Sequence, residues 1–210
     1  MRLRKARNSD VSQIRALINE MAKRTDADHK NGHMLPRSLT ELYEHIRDYT
    51  VVVDDNDGVR GCCALESQWE GLAELKALAV NDELQGQGWG RNLVESAIAE
   101  CDNLGIACVY TLTNKMEFFQ KLEFVPIHMA LLPQRVWSEC VNCPKYDAGC
   151  DEVAMTYRGK TPKQIFIPAV GINAPPAARI ALGLDQLTQD EKARADDTQS
   201  DDQRTPGVSE

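Results

Sequence analysis

Apolar residues recur at two periods over residues 1–158, and the periods mark the elements. Residues 1–5 read as a short strand. Val11, Ile14, Leu17, Ile18 and Met21 fall on one helical face, with Ser9 or Asp10 placed to cap it. Residues 25–36 are polar and contain Gly32, which predicts a loop. Ser38-Leu39-Thr40-Glu41 has the capping-box spacing, and Leu39, Leu42, Tyr43 and Ile46 follow at helical intervals. Residues 50–53 are a β-branched strand, Asp54-Asp55-Asn56-Asp57-Gly58 a turn, and residues 59–66 the return strand. In residues 72–80, Leu75, Ala77 and Ala79 alternate with Glu74, Lys76, Leu78 and Val80. This predicts a largely buried strand with the two sets on opposite faces. A helix after residue 90 carries Leu93, Val94, Ala97, Ile98, Cys101 and Leu104 on one face and stops at Gly105. A strand over 106–112, a short helix over 115–122 and a strand over 124–131 follow. Pro133 opens a helix to about residue 139, residues 140–151 form a cysteine-bearing loop, and 153–157 is a closing strand.

The chain changes in kind at Gly159. Five prolines (162, 168, 175, 176 and 206) and the acidic stretch 190–202 follow it. Residues 165–172 are apolar enough to pack locally and 177–187 suit a short helix, whereas the last stretch reads as disordered. The expected division is therefore a domain over 1–158 and a C-terminal extension over 159–210. The formal net charge of −8 and pI near 5.1 argue against a nucleic-acid groove or an anionic membrane surface as the main partner. There is no run of about 18 apolar residues and no secretory pattern, so a cytoplasmic protein is expected.

Candidate chemistry begins at Gln85-Gly86-Gln87-Gly88-Trp89-Gly90, between the 72–80 strand and the helix after it. Alternating glycines let a backbone turn tightly and present a cluster of N–H groups. The helix dipole adds partial positive charge at the same place. The expected guest is a phosphate or pyrophosphate. No Gly-Lys-Ser/Thr follows, which excludes a Walker loop, and the spacing G-x-G-x-G lacks the offset of the Rossmann fingerprint. A side chain at Gly88 or Gly90 is expected to obstruct phosphate approach or a positive-φ turn.

Gln-x-x-Gly-x-Gly at 85–90 after Ala73-Glu74-Leu75-Lys76-Ala77-Leu78-Ala79-Val80 resembles the acetyl-CoA pyrophosphate loop of the GNAT acetyltransferases. Three further stretches resemble the short, kinase-free bacterial N-acetylglutamate synthases of that superfamily. They are Leu35-Pro36-Arg37-Ser38 with Glu41-Leu42 and Ile46-Arg47-Asp48; Leu112-Thr113 with Phe118-Phe119-Gln120-Lys121-Leu122-Glu123-Phe124; and Val136-Trp137-Ser138-Glu139-Cys140-Val141-Asn142-Cys143-Pro144-Lys145 with Cys150-Asp151-Glu152-Val153-Ala154-Met155. The resemblance covers residues 1–158. It implies an α+β fold of mixed αβα layers, with a central mixed sheet of splayed strands flanked by helices. It implies direct transfer of acetyl from acetyl-CoA to the α-amine of L-glutamate, the first step of arginine biosynthesis. Another amino acid, a small amine or a protein N-terminus remain open as acceptors, as does a non-catalytic acyl-CoA-binding regulator. Monomer and homodimer are both open.

The resemblance also implies roles. The loop Gln85, Gly86, Gln87, Gly88, Trp89, Gly90 and Arg91 would hold acetyl-CoA, with Arg91 helping the phosphates and Trp89 open between contact and packing. Backbone N–H groups of Leu78, Ala79 and Val80 would face the thioester. Glu74 would be the general base, since an ammonium has no lone pair until it loses a proton; the plain alternative is an ion-paired strand carboxylate. Lys76 would bind a substrate carboxylate or merely pair with Glu74. Arg37 suits two-pronged grip of a carboxylate, against the alternative of a surface arginine. Thr113 is a third substrate-binding candidate. Phe119 stands where many relatives carry an acidic tyrosine, so the thiol would leave unassisted or through a water. Glu123 replaces the usual glycine before Phe124, which puts the local turn in question.

Seven cysteines, an odd number, suggest reduced thiols. The first pair of Cys140, Cys143 and Cys150 has zinc-like spacing. A structural zinc needs four ligands, and His128 or Cys108 would have to fold near to supply the fourth. Zinc and a disulfide are the lesser alternatives.

Overall fold

The computed structural model describes residues 1–23, 34–129, 132, 143 and 150–158. The elements run β1 (Arg2–Lys5), α1 (Val11–Ala22), α2 (Leu39–Glu44), β2 (Tyr49–Val53), β3 (Val59–Trp69), β4 (Leu72–Val80), α3 (Trp89–Leu104), β5 (Cys108–Thr113), α4 (Met116–Gln120), β6 (Phe124–Ile127) and β7 (Val153–Arg158). This is the predicted order. The chain divides into two compact units, residues 1–126 with 135–166, and residues 127–134 with 167–210. In the second unit the described residues are 127–129 and 132, where the Leu132 N–H bonds the Met129 carbonyl at 3.0 Å. The expected helix at 133–139, most of the cysteine loop and the extension from Gly159 lie outside the described residues. Among the described residues, no helix is long and apolar enough to cross a membrane.

Seven strands form one sheet in the order β1-β2-β3-β4-β5-β7-β6. β1 to β4 pair antiparallel, β4 and β5 pair parallel, and β5 and β7 pair antiparallel. Each face buries its own core. Leu93, Val94, Ala97 and Cys101 of α3 pack with Val52, Cys63, Leu65, Leu75, Val109 and Met155. Val11, Ile14, Leu17 and Ile18 of α1 and Leu42 of α2 pack with Val51, Val53, Cys62, Ala64 and Ala79 on the opposite face. A strand that sends alternate residues to two apolar layers is buried on both sides, which is why β2 is buried at every position.

Three local features differ from expectation. Asp10 does not cap α1 with its side chain. It is 2% exposed, and its carboxylate reaches back to the Arg7 N–H at 2.7 Å and takes a two-pronged contact from Arg4 at 2.6 and 3.1 Å. Second, the alternation of β4 breaks at Ala77. Ala64 faces Lys76 and Cys62 faces Ala79, so two residues of β4, Ala77 and Leu78, oppose Cys63 alone. This is a β-bulge, and Ala77 takes φ +52° to make it. Leu75 therefore packs on the α3 side with Leu78 and Val80, while Ala77 and Ala79 pack on the α1 side.

Third, Glu123 keeps the turn that a glycine would ordinarily make, at φ +65° with its N–H on the Gln120 carbonyl at 3.1 Å. A left-handed backbone costs a non-glycine residue about 1–2 kcal/mol, partly offset by the greater entropy glycine loses on folding. Glu123→Gly should therefore stabilise the fold by about 0.5–1 kcal/mol, raising Tm by about 1–4 °C. A thermal melt of the two proteins checks this; a lower Tm for the variant would show that the Glu123 side chain contributes more than the strain removes.

Candidate functional site

The site lies where β4 and β5 part. Their pairing runs from Leu72 opposite Cys108 to Glu74 opposite Tyr110 and ends there, although β4 continues to Val80 and β5 to Thr113. Glu74 thus sits at the fork. Its side chain points to the α1 side, as do those of Glu66, its partner across β3, and of Lys76 two residues on. Glu66 and Glu74 are 6% and 8% exposed. Lys76 Nζ lies 2.9 Å from Glu66 Oε2 and 3.5 Å from Glu74 Oε2. Gln68 Nε2 donates to Glu66 Oε1 at 3.0 Å and approaches Glu74 Oε2 at 3.5 Å, and the fully buried Tyr110 hydroxyl donates to Glu74 Oε2 at 3.4 Å. Burial alone would raise the Glu66 carboxyl, but the hydrogen bond and charge of Lys76 outweigh it and hold it below the ordinary carboxylate value.

Arg37 comes to the same place from the segment before α2. The Asn19 amide of α1 clamps its backbone, accepting the Arg37 N–H at 2.8 Å and donating to the Arg37 carbonyl at 3.2 Å. The predicted capping box is formed: Ser38 Oγ accepts the Glu41 N–H at 3.2 Å, and Glu41 Oε2 accepts the Ser38 N–H at 3.3 Å. The other Glu41 oxygen pairs with the Arg37 guanidinium. One glutamate therefore caps the helix and orients the arginine. Burial would raise the Glu41 carboxyl, and Arg37 more than reverses it. Arg37 and Lys76 line one small pocket together with Glu41, His45, Asp48, Tyr49, Ala64 and Glu66.

Thr113 is not in that group. It lies three positions beyond Tyr110 on a regular strand, so its side chain points to the α3 face, and its hydroxyl accepts the Lys115 N–H at 2.9 Å. That hydrogen bond fixes the turn into α4. The structure thus places Thr113 apart from Arg37 and Lys76, on the other face of the sheet.

At the glycine loop, a short 3₁₀ turn at Asp82–Leu84 precedes Gln85. Gln85 Nε2 donates to the Val80 carbonyl at 3.1 Å and to Asp82 Oδ1 at 2.9 Å, and Gln87 Nε2 to the Glu83 carbonyl at 2.6 Å. These side chains lock the loop onto the end of β4. Gly86 and Gly88 have φ +74° and +86°. Gly90 does not need a positive φ, and a Cβ there would meet Phe118 at an ordinary 3.6 Å. Of the two glycines expected to resist a side chain, Gly88 does so through its backbone conformation. Trp89, Gly90 and Arg91 form the first turn of α3, whose N–H groups have no carbonyl one turn earlier in the helix. Trp89 packs against the α3-side core, and Arg91 pairs at the surface with Glu95 at 3.3 Å.

Phe119 is 4% exposed and meets Phe118 and Phe124 edge-on, so it serves the core. Cys62 and Cys63, beside the bulge, are also buried, and burial pushes the Cys62 thiol up to about 12 and the Cys63 thiol upward too. Cys140 lies outside the described residues. Cys143 and Cys150 carry no disulfide, and among the described residues no group of three His, Cys, Asp or Glu side chains is arranged to hold a metal. Glu66, Gln68 and Tyr110 had not been singled out from the sequence. A glutamate directly after the apolar run Gly61-Cys62-Cys63-Ala64-Leu65 was the signal available for the first.

A seven-stranded mixed sheet, a bulged strand that parts from its parallel neighbour, and a glycine loop at the next helix define an acyl-transferase architecture. Residues 47–126 match the acetyltransferase (GNAT) domain. An uncharacterised N-acetyltransferase of Chlorobaculum tepidum is 39% identical over 153 residues, 73% of this chain and 93% of that one. An amino-acid acetyltransferase of Mycobacterium tuberculosis is 30% identical over 71% of this chain and 82% of its own length. Among solved structures, N-acetylglutamate synthase from Neisseria gonorrhoeae, complexed with coenzyme A and N-acetyl-glutamate, shares the fold with a TM-score of 0.63 and 24% identity, over 75% of this chain and 34% of that chain. The chain belongs to the GNAT acetyltransferases.

Proposed function

We propose that this acetyltransferase moves the acetyl group of acetyl-CoA to the α-amine of L-glutamate. The observation that carries this is the shared pocket: Arg37 and Lys76, from separate segments, line it together, and Lys76 touches Glu74. Two cations suit the two carboxylates of glutamate, and the neighbouring carboxylate suits removal of a proton from its ammonium. The amino-acid acetyltransferase relative supports the substrate class.

In this reading the loop at 85–91 and the first turn of α3 hold the pyrophosphate of acetyl-CoA. Backbone N–H groups of Leu78 to Val80, from the bulge onward, stabilise the thioester oxygen as negative charge develops. Glu74 takes one ammonium proton, the amine nitrogen forms a bond to the acetyl carbon, and the C–S bond breaks to release coenzyme A thiolate. The second amine proton passes to the departing thiolate, directly or through a water, as the amide forms, so coenzyme A ends as the thiol. The buried thiols of Cys62 and Cys63 stay protonated at neutral pH, which favours direct transfer over an acetyl-cysteine intermediate.

One observation favours a second reading. Lys76 is already ion-paired with two carboxylates, which suits an acceptor with an uncharged side chain. Coenzyme A release measured with glutamate, glutamine, other amino acids and small amines separates the two. A kcat/KM for glutamate at least about tenfold above glutamine, about 1.4 kcal/mol in transition-state binding, supports the first; equal values or a preference for glutamine overturn it.

The cofactor assignment has its own test. Gly88→Val forces a β-branched side chain into φ +86° and places it where the phosphates would approach. KM for acetyl-CoA should rise by at least about tenfold, the loss of one charge-assisted contact, while circular dichroism stays native. Unchanged acetyl-CoA kinetics in the folded variant would remove the loop from the site.

A further inference from the structure

We propose that Glu66 is a positioning residue of the transfer site: its carboxylate holds the Lys76 ammonium and so leaves Glu74 as the carboxylate that receives the acceptor's proton. This rests on Glu74 being the base. The geometry is cross-strand. Glu66 and Glu74 are directly opposed on β3 and β4, where two like charges would repel unless something stood between them. Lys76 stands there, nearer Glu66 at 2.9 Å than Glu74 at 3.5 Å. Gln68 bridges the same two carboxylates from the side.

The charge count explains why a second carboxylate is useful. With both carboxyls ionised, Glu66, Glu74 and Lys76 sum to −1 in a nearly dry place. The ammonium of an amino-acid acceptor offsets that charge at Glu74, while its carboxylates lie toward Arg37. With Glu66 absent, Lys76 and Glu74 would neutralise each other, and the incoming ammonium would meet no net charge. Facing Glu74 are Glu66 and Gln68 from β3, Lys76 along β4 and Tyr110 from β5. Arg37, Glu41, His45 and Asp48 line the pocket beyond Lys76. Of these, Glu66 and Lys76 act on Glu74 in opposite senses, and their removal should have opposite signs.

The test is the pH profile of kcat/KM for the acceptor, measured on the full chain. In Glu66→Gln, Glu74 loses a like charge and gains more of Lys76, so its carboxylate form is favoured. The acid limb should move about one pH unit lower, with a few-fold fall in the plateau as the base weakens. In Lys76→Met, Glu74 faces Glu66 with no cation between, and the limb should move about one unit higher. Glu66→Asp keeps the charge and should stay within about 0.3 unit of the wild type, whereas a purely structural role for Glu66 would make Asp as damaging as Gln. If Glu66→Gln alone does not fold, the Glu66→Gln/Lys76→Met pair, which removes both charges, decides: its limb should fall back toward the wild-type position, and a limb as high as in Lys76→Met overturns the proposal. An unmoved limb in Glu66→Gln, or equal directions in Gln and Met variants, overturns the proposal. Glu74→Gln separates the two ideas. If it abolishes the limb while Glu66→Gln leaves it in place, only the positioning role falls. If it retains the wild-type limb, the base assignment falls and the positioning role with it.

Discussion

Glu74→Gln should lower kcat for acetyl transfer by a factor of about 10²–10⁴, the range a positioned general base supplies. The substitution is nearly isosteric, and the amide oxygen can still accept from Tyr110 and Gln68, so the fold at the fork of β4 and β5 should persist. What it cannot do is take a proton. The acceptor would then have to arrive already deprotonated, so activity should recover as pH rises toward the pKa of its amine. KM for acetyl-CoA should hold, because the glycine loop begins eleven residues further along the chain. Steady-state kinetics over a pH series measure all three effects. A kcat within a few-fold of wild type would return Glu74 to the status of an ion-paired strand carboxylate.

Arg37→Ala is the second large effect. The guanidinium is held from two sides, by Glu41 on its side chain and by Asn19 on its backbone, so it is aimed before any substrate arrives. A charge-assisted hydrogen bond is worth about 1.5–3 kcal/mol, which corresponds to a fall in kcat/KM for glutamate of roughly ten- to a hundred-fold. KM for acetyl-CoA should not change. Arg37→Lys should recover only part of the loss, since an ammonium offers no planar fork. Truncation also strips Glu41 of its partner, but the capping box still gives that carboxylate the Ser38 N–H, so α2 should survive. If glutamate kinetics are untouched, the pocket shared by Arg37 and Lys76 is not where the acceptor's carboxylates bind.

The element order was legible because each segment's period is strong: a five-point apolar face for α1, β-branched residues for β2, a six-point face for α3 with Gly105 as its stop. The capping box at Ser38 was legible for the same reason, as a local pattern whose partners lie three residues apart. The bulge was not. Leu75, Ala77, Ala79 and Leu78, Val80 are small or apolar throughout, so their sequence tolerates either phase, and only the opposing strand decides it. The face on which Thr113 lies was not legible for a related reason. A motif fixes which residue is present, but a strand's parity fixes where it points. Glu66, Gln68 and Tyr110 escaped because their meaning depends on neighbours across the sheet, at separations of 6 to 36 residues from Glu74.

The bulge at Ala77 has a consequence for how this strand can change length. A straight version of β4, one residue shorter, would send Leu75, Leu78 and Val80 to the α3 layer and Lys76 and Ala79 to the other, as now. Both hydrophobic layers would keep these side chains and lose only the methyl of Ala77, and the ladder with β3 would run regularly from Ser67 to Gly61. The cores take no more than that methyl from the extra residue, and Ala77 occupies a backbone conformation that disfavours alanine. Beyond it, what a regular strand would lack is the interruption itself, with the residue a bulge leaves out of the ladder at the mouth of the fork. The extra residue is thus an insertion that folding would discard and acetyl transfer would retain, with selection for stability and selection for activity pulling on one alanine in opposite directions.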